Sequence, residues 1–204
     1  MRHLPIRVVK VGGSLLDFEG LVPALREWVN SQTPAIHILI AGGGPFTDIV
    51  RQIDERFAIG EINSHWMCIR LLDCTARLLV LLLPEAELVT RFEDLETYCR
   101  HNEGRIIAFS CEQFLQHREP CDDEEPALPH DWSVTTDSIA ARLSCAIDAD
   151  ELVLLKSCDP PPLTNAPHAP QLALAGYTDD HFGDVAAGLD LRWVNLLSGE
   201  EWWI

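Results

Sequence analysis

Apolar and polar positions along the chain repeat with two different periods. Residues 6–11 (Ile-Arg-Val-Val-Lys-Val) and 36–41 (Ile-His-Ile-Leu-Ile-Ala) are short runs rich in β-branched and aliphatic side chains. Continuous runs of this length predict strands covered on both faces, since a strand with one wet face alternates apolar and polar. Between them, residues 20–31 place Leu21, Leu25, Trp28 and Val29 at helical spacing. A second helix is expected from Pro45, a residue suited to a first helical turn, with Phe46, Ile49, Val50 and Ile53 on its apolar face. Residues 63–83 predict a long helix of nearly continuous apolar character. Short strands at 86–89 and 105–109 flank a helix at 92–100. A helix at 136–147, capped by Thr135 or Thr136, precedes a strand at 151–156. A helix near 180–187 and a strand at 191–197 come last.

This alternation predicts an α/β fold, a three-layer α/β/α sandwich with a mainly parallel central sheet. The 204 residues suit one domain spanning 1–204. Two segments carry no regular core element: residues 117–131, with the acidic run Asp122-Asp123-Glu124-Glu125, and residues 159–171, with prolines at 160, 161, 162, 167 and 170.

Composition narrows the function more than the fold. The formal net charge is −17, with 15 Lys and Arg against 32 Asp and Glu. A nucleic-acid partner is not expected, because such binding needs a basic face to displace counterions. No membrane role is expected either, since the apolar run at Leu78–Leu83 ends at Pro84, far short of the ~20 residues of a span. Arg7 and Lys10 interrupt the first apolar stretch, which argues against a signal peptide. Seven cysteines without CxxC spacing read as reduced, buried side chains of a cytoplasmic protein. No metal site is expected.

Candidate chemistry gathers where strands end. The first strand carries Lys10 and breaks into Gly12-Gly13-Ser14; the second breaks into Gly42-Gly43-Gly44; the strand at 151–156 ends in Lys156, followed by Ser157 and Asp159. Ligands of open α/β sheets bind outside the carboxyl ends of the strands. Bare backbone N–H groups and helix N-termini, expected after the first two glycine clusters, favour phosphate there. Asp137, in the first turn of its helix, is placed to orient two lysines and keep both protonated. Phosphoryl transfer needs mainly positioning and charge neutralisation, which this set supplies without a covalent nucleophile. The Walker A, GxGxxG and protein-kinase HRD and DFG signatures are missing.

Lys-Val-Gly-Gly-Ser at 10–14, Ala-Gly-Gly-Gly-Pro at 41–45, Thr-Thr-Asp-Ser-Ile-Ala at 135–140 and Ala-Asp-Glu-Leu-Val-Leu-Leu-Lys at 149–156 resemble the amino acid kinase superfamily in content and order. The resemblance implies ATP with Mg²⁺ and a small phosphate or carboxylate acceptor. It implies that Lys10 contacts the transferring phosphoryl group and Asp137 organises the lysines. Lys156, Gly12, Gly13 and Ser14 would hold nucleotide phosphates, with Ser157 and Asp159 at the start of the nucleotide loop. Gly42, Gly43 and Gly44 would serve the acceptor side. Residues of about 150–204 form a shorter nucleotide-binding half than the family's, and Lys156-Ser157-Cys158-Asp159-Pro160 replaces its usual Thr-Asp-Val-Asp-Gly. A narrower resemblance, carried by His65-Trp66-Met67, Leu128-Pro129 before Trp132, and Gly176-Tyr177 before Asp179-Asp180-His181-Phe182, is to short kinases of methanofuran and tetrahydromethanopterin cofactor synthesis. It implies an aminomethylfuran phosphate acceptor facing His65 and Trp132. A homo-oligomer, first of all a dimer, is expected; a non-catalytic nucleotide- or oxyanion-binding member is the alternative reading.

Overall fold

Strand β1 (Ile6–Val11) is buried along its whole length and pairs in parallel with β2 (Ile36–Ala41) on one side and β5 (Glu151–Lys156) on the other. Beyond β2 lie β4 (Arg105–Phe109) and β3 (Ala86–Val89), and beyond β5 lie β6 (Leu191–Asn195) and β7 (Glu200–Trp203). The seven strands run in the order β3-β4-β2-β1-β5-β6-β7, and β7 alone is antiparallel to its neighbour. The computed structural model describes residues 4–101, 103–119, 126–162 and 169–204.

Eight helices accompany the described strands: α1 (Leu21–Ser31), α2 (Pro45–Phe57), α3 (Glu61–Leu82), α4 (Phe92–His101), α5 (Glu112–His117), α6 (Thr136–Ala146), α7 (Ala169–Leu174) and α8 (Phe182–Val185). One sheet face packs against α4 to α8 through Leu95, Phe114, Ile139, Leu143, Leu172 and Phe182. The other packs against α1 through Leu21, Leu25 and Trp28. Helix α3 serves both, with Ile69 and Leu72 in the first cluster and Leu79 in the second. Burying each such side chain stabilises by about 1.5–3 kcal/mol, which is why both faces of the sheet are covered.

Strand parity decides which face each side chain meets. On β1, Ile6 and Val8 enter the α6 side and Val9 and Val11 the α1 side. Lys10 therefore points toward α6. Leu152 and Leu154 of β5 share that face, so Lys156 does too. The odd positions Arg7, His37 and Glu151, with Arg192, lie on the α1 side, where charged side chains need partners. Glu151 accepts from Arg7 Nε and lies 2.6 Å from Arg192 Nε, and Arg192 also reaches Glu201 at 2.9 Å.

The sequence-based expectations hold for the main strands and helices and need correction elsewhere. The first glycine cluster leads into a 3₁₀ turn at Gly13–Asp17, so α1 begins only at Leu21. The helix expected at 180–187 is the single turn α8, and the strand expected at 191–197 stops at Asn195 and returns as β7. Helices α5 and α7 were not foreseen, and α7 places Pro170 in its first turn, where the missing N–H costs nothing. Cys74 and Cys158 are exposed rather than buried, while Cys99 and Cys111 are buried thiols. The acidic run 122–125 and Cys121 lie outside the described residues.

Candidate active site

Helix α6 packs on β1 and carries Asp137 into the space between the two strand-end lysines. Thr135 is the N-cap: its Oγ1 accepts from Asp137 N at 3.2 Å, which sets the first turn. Lys10 Nζ lies 2.8 Å from Asp137 Oδ1, and Lys156 Nζ donates to Oδ2 at 2.9 Å. Lys156 also donates to Tyr177 O at 3.0 Å and sits 5.2 Å from the Trp193 ring centroid. Lys10 and Asp137 are both buried.

Three charged groups taken out of water are tolerable only because they pair. Burial pushes the Lys10 ammonium down to about 8, with Asp137 holding it up and Lys156 pressing it further down. Burial would push the Asp137 carboxyl up, but the two ammonium groups outweigh that and hold it at about 2. At neutral pH the cluster is one carboxylate between two cations, with one positive charge in excess. Lys10 and Lys156 are the only lysines of the sequence; the other thirteen of its 15 basic residues are arginine. That bias was visible in the sequence and marks the two positions.

The glycine loops are packed backbone to backbone. Gly12 N donates to Leu155 O and Gly42 N to Val11 O, both at 2.8 Å, extending the strand ladder. The amides of Gly12 and Gly42 are thus committed to the sheet, and these two glycines shape the loops rather than offer N–H groups to a ligand. A Cβ on Gly43 would overlap Thr47, and Gly44 has φ +52°, a conformation that favours glycine. Ser14 and Ser157 face each other across the exposed rim, Oγ to Oγ 2.8 Å. Asp159 accepts from Asn195 Nδ2 at 2.6 Å.

A partly open slot lies beside the glycine loop. Gly43, His65, Trp132 and Thr136 line it, with Ile69 and Ile139 below. His65 Nδ1 is 3.1 Å from Asp131 O, and its ring stacks on His130 at 5.3 Å between centroids. Burial lowers the His65 pKa, which keeps the imidazole neutral at pH 7. Trp132 donates from Nε1 to Asp54 Oδ2 at 3.0 Å, and the Arg51 guanidinium lies 4.8 Å over its ring. Sequence reasoning placed His65 and Trp132 on one ligand, and the fold brings them to one slot. It missed Arg51, which the helix starting at Pro45 carries two turns along to the slot wall.

The model of the amino acid kinase family matches residues 5–160. The chain is 26% identical over 155 residues, 76% of its length and 67% of the relative's, to [5-(aminomethyl)furan-3-yl]methyl phosphate kinase of Methanocaldococcus jannaschii. Among solved structures it superposes on UMP kinase from Ureaplasma parvum with a TM-score of 0.64 at 12% identity, covering 98% of this chain and 93% of that one. Uridylate kinase from Archaeoglobus fulgidus gives a TM-score of 0.60 at 15% identity, covering 91% and 88%. These last two likenesses show the fold alone.

Proposed function

From the premise that the chain belongs to the amino acid kinase family and is a small-molecule kinase, we propose that it moves the γ-phosphoryl group of ATP onto the phosphate of a small ring-bearing acceptor. The acceptor class is that named for the archaeal relative, an aminomethylfuran methyl phosphate. The observation that carries this reading is that the slot lined by His65 and Trp132 is also lined by Thr135 and Thr136, the two residues that precede Asp137 of the Lys10–Asp137–Lys156 cluster.

The residues supply distinct parts. The flat ring of the acceptor would lie in the slot that His65 and Trp132 line, and the Arg51 guanidinium would supply a phosphate grip at its wall. Gly43, which lines the slot, and its neighbour Gly44 suit close approach of a phosphoryl group. Lys10 then neutralises charge that spreads over the transferring oxygens, and Lys156 does so on the nucleotide side, where Ser14 and Ser157 offer hydroxyls. Asp137 keeps the two ammonium groups apart and charged. Mg²⁺ belongs to this reading as the companion of the nucleotide. The ion would ride on the phosphates and add to their neutralisation.

Incubation with Mg–ATP and [5-(aminomethyl)furan-3-yl]methyl phosphate, with UMP in parallel, tests the reading. ADP and a furan diphosphate should form, and Arg51→Ala should raise the acceptor KM at least tenfold. No ADP above background with the furan phosphate, together with turnover of UMP, overturns the acceptor assignment.

A further inference from the structure

We propose that Asp179 is a positioning residue for the cluster, holding the Thr135 hydroxyl away from Asp137 so that both Asp137 oxygens stay with the two lysines. The inference rests on reading that cluster as the phosphoryl-transfer site. Asp179 lies outside the strand ends, on the segment between α7 and α8, and the mechanism above makes no use of it. Five donors converge on its two oxygens. Thr135 N (2.9 Å), Thr135 Oγ1 (2.7 Å) and Ser138 N (3.1 Å) donate to Oδ2. Ser138 Oγ and His181 N (3.2 Å) donate to Oδ1.

The Thr135 hydroxyl has one proton and two acceptor choices. Its oxygen is 2.7 Å from Asp179 Oδ2 but 3.5 Å from Asp137 Oδ2, the atom that Lys156 uses. With its proton committed to Asp179, the hydroxyl presents a lone pair to Asp137 N instead of competing with Lys156 for the carboxylate. The same segment grips the cluster at a second point, because Tyr177 O accepts from Lys156 Nζ at 3.0 Å. His181 Nε2, 3.0 Å from Ser133 Oγ, fastens its far end. One short segment therefore sets the α6 N-terminus and the Lys156 ammonium together. An amide at position 179 keeps one acceptor oxygen where five donors need two. The Thr135 proton is then free to turn toward Asp137.

The test uses the scarcity of lysine. In full-length protein labelled with ¹³C,¹⁵N-lysine, only Lys10 and Lys156 give side-chain signals, and they can be followed against pH without any turnover. In Asp179→Asn both signals should move from their wild-type positions. The Lys10 titration midpoint should fall, because its carboxylate partner is partly diverted and a nearby negative charge is lost. Ser138→Ala, which removes one anchor of Asp179 Oδ1, should give a smaller movement in the same direction and decides the matter if Asp179→Asn does not fold. With a working acceptor, kcat should fall at least tenfold while the nucleotide KM stays within twofold. Lysine signals that stay in place while the melting temperature drops make Asp179 an ordinary helix cap and overturn the proposal. Failure of the furan phosphate assay leaves this measurement fully readable, so the two ideas can fail separately.

Discussion

Gly13 and Gly44 touch through their main chains: a Cβ built on Gly13 would lie 2.5 Å from Gly44 N and 2.9 Å from Gly44 Cα. Loops after two adjacent parallel strands thus approach as closely as peptide units can. Gly13→Ala must separate the loops, because both obstructing atoms are backbone. The expected outcome is a drop in thermal stability together with loss of turnover, since Gly43 and Gly44 move with the displaced loop. Gly60, with φ +90° and open space around its Cβ position, provides the contrast. Gly60→Ala should cost about 1 kcal/mol or somewhat more from the strained φ alone and leave turnover unchanged. Denaturant titration and a rate assay on both variants check the pair; equal effects on turnover would refute the loop-contact argument.

Lys10 gives activity and stability opposite responses to alkali. Burial lowers its pKa from 10.5 to about 8, so above pH 8 the folded protein sheds this proton before the unfolded chain does. Between pH 8 and 10.5 the unfolded state binds more protons, and the Lys10 contribution to stability rises. Phosphoryl transfer needs the ammonium form, so kcat/KM should decline with a midpoint near pH 8 in the free enzyme. Lys10→Met should lack both responses and lose about 10²–10³-fold in turnover at pH 7. A wild-type kcat/KM that stays flat to pH 10 would remove Lys10 from the site.

Much of this was legible in the sequence because burial is two-sided. The runs at 6–11 and 36–41 cannot be amphipathic strands, and once 6–11 and 151–156 are neighbouring central strands their register sends Lys10 and Lys156 to one face. Asp137 followed from its place in the first turn of a helix after a Thr cap. What stayed hidden depends on partners distant in the chain. Arg7 and Glu151 are 144 residues apart, and nothing local says that a charged strand residue is buried on a salt bridge rather than wet. Asp179 has the same character: four of its five donors are 41 to 44 residues upstream. Strand β7 was missed because Glu200 and Glu201 suppress the apolar pattern, although an edge strand with charged residues is ordinary.

His37 should make the protein acid-sensitive. It is buried beside Arg7 and Arg192; burial first, then the two guanidinium groups, lower its pKa from 6.5 to about 4. The unfolded chain takes up this proton below pH 6.5 and the folded one only near 4, so stability falls across that window, by about 3 kcal/mol in all. Asp137 acts in a separate window, its contribution being present above 3.8 and lost as pH falls through about 2. Urea titrations at pH 7 and 4.5 check the first. The His37→Leu variant should lose clearly less stability than wild type between them, and equal losses would show that His37 is not the sensitive group.

Asp137→Asn separates an ion-pair hub from a helix cap by magnitude. Thr135 holds the N-cap and keeps its bond to residue 137 N in the variant, so the capping contribution of Asp137 is its interaction with the helix dipole, about 0.3–1 kcal/mol. As the hub, Asp137 is the counter-ion of two buried or nearly buried ammonium groups, 2.8 and 2.9 Å away. Breaking a buried pair by removing one partner costs about 3–5 kcal/mol. The expected loss is therefore in the larger range at pH 7. It should shrink as pH rises, because Lys10 without its carboxylate loses its proton more readily and the uncompensated charge disappears. A loss below about 1 kcal/mol that does not vary with pH would identify a cap. Turnover should fall with the hub and not recover at high pH, since the deprotonated lysine that relieves the strain can no longer neutralise a phosphoryl group.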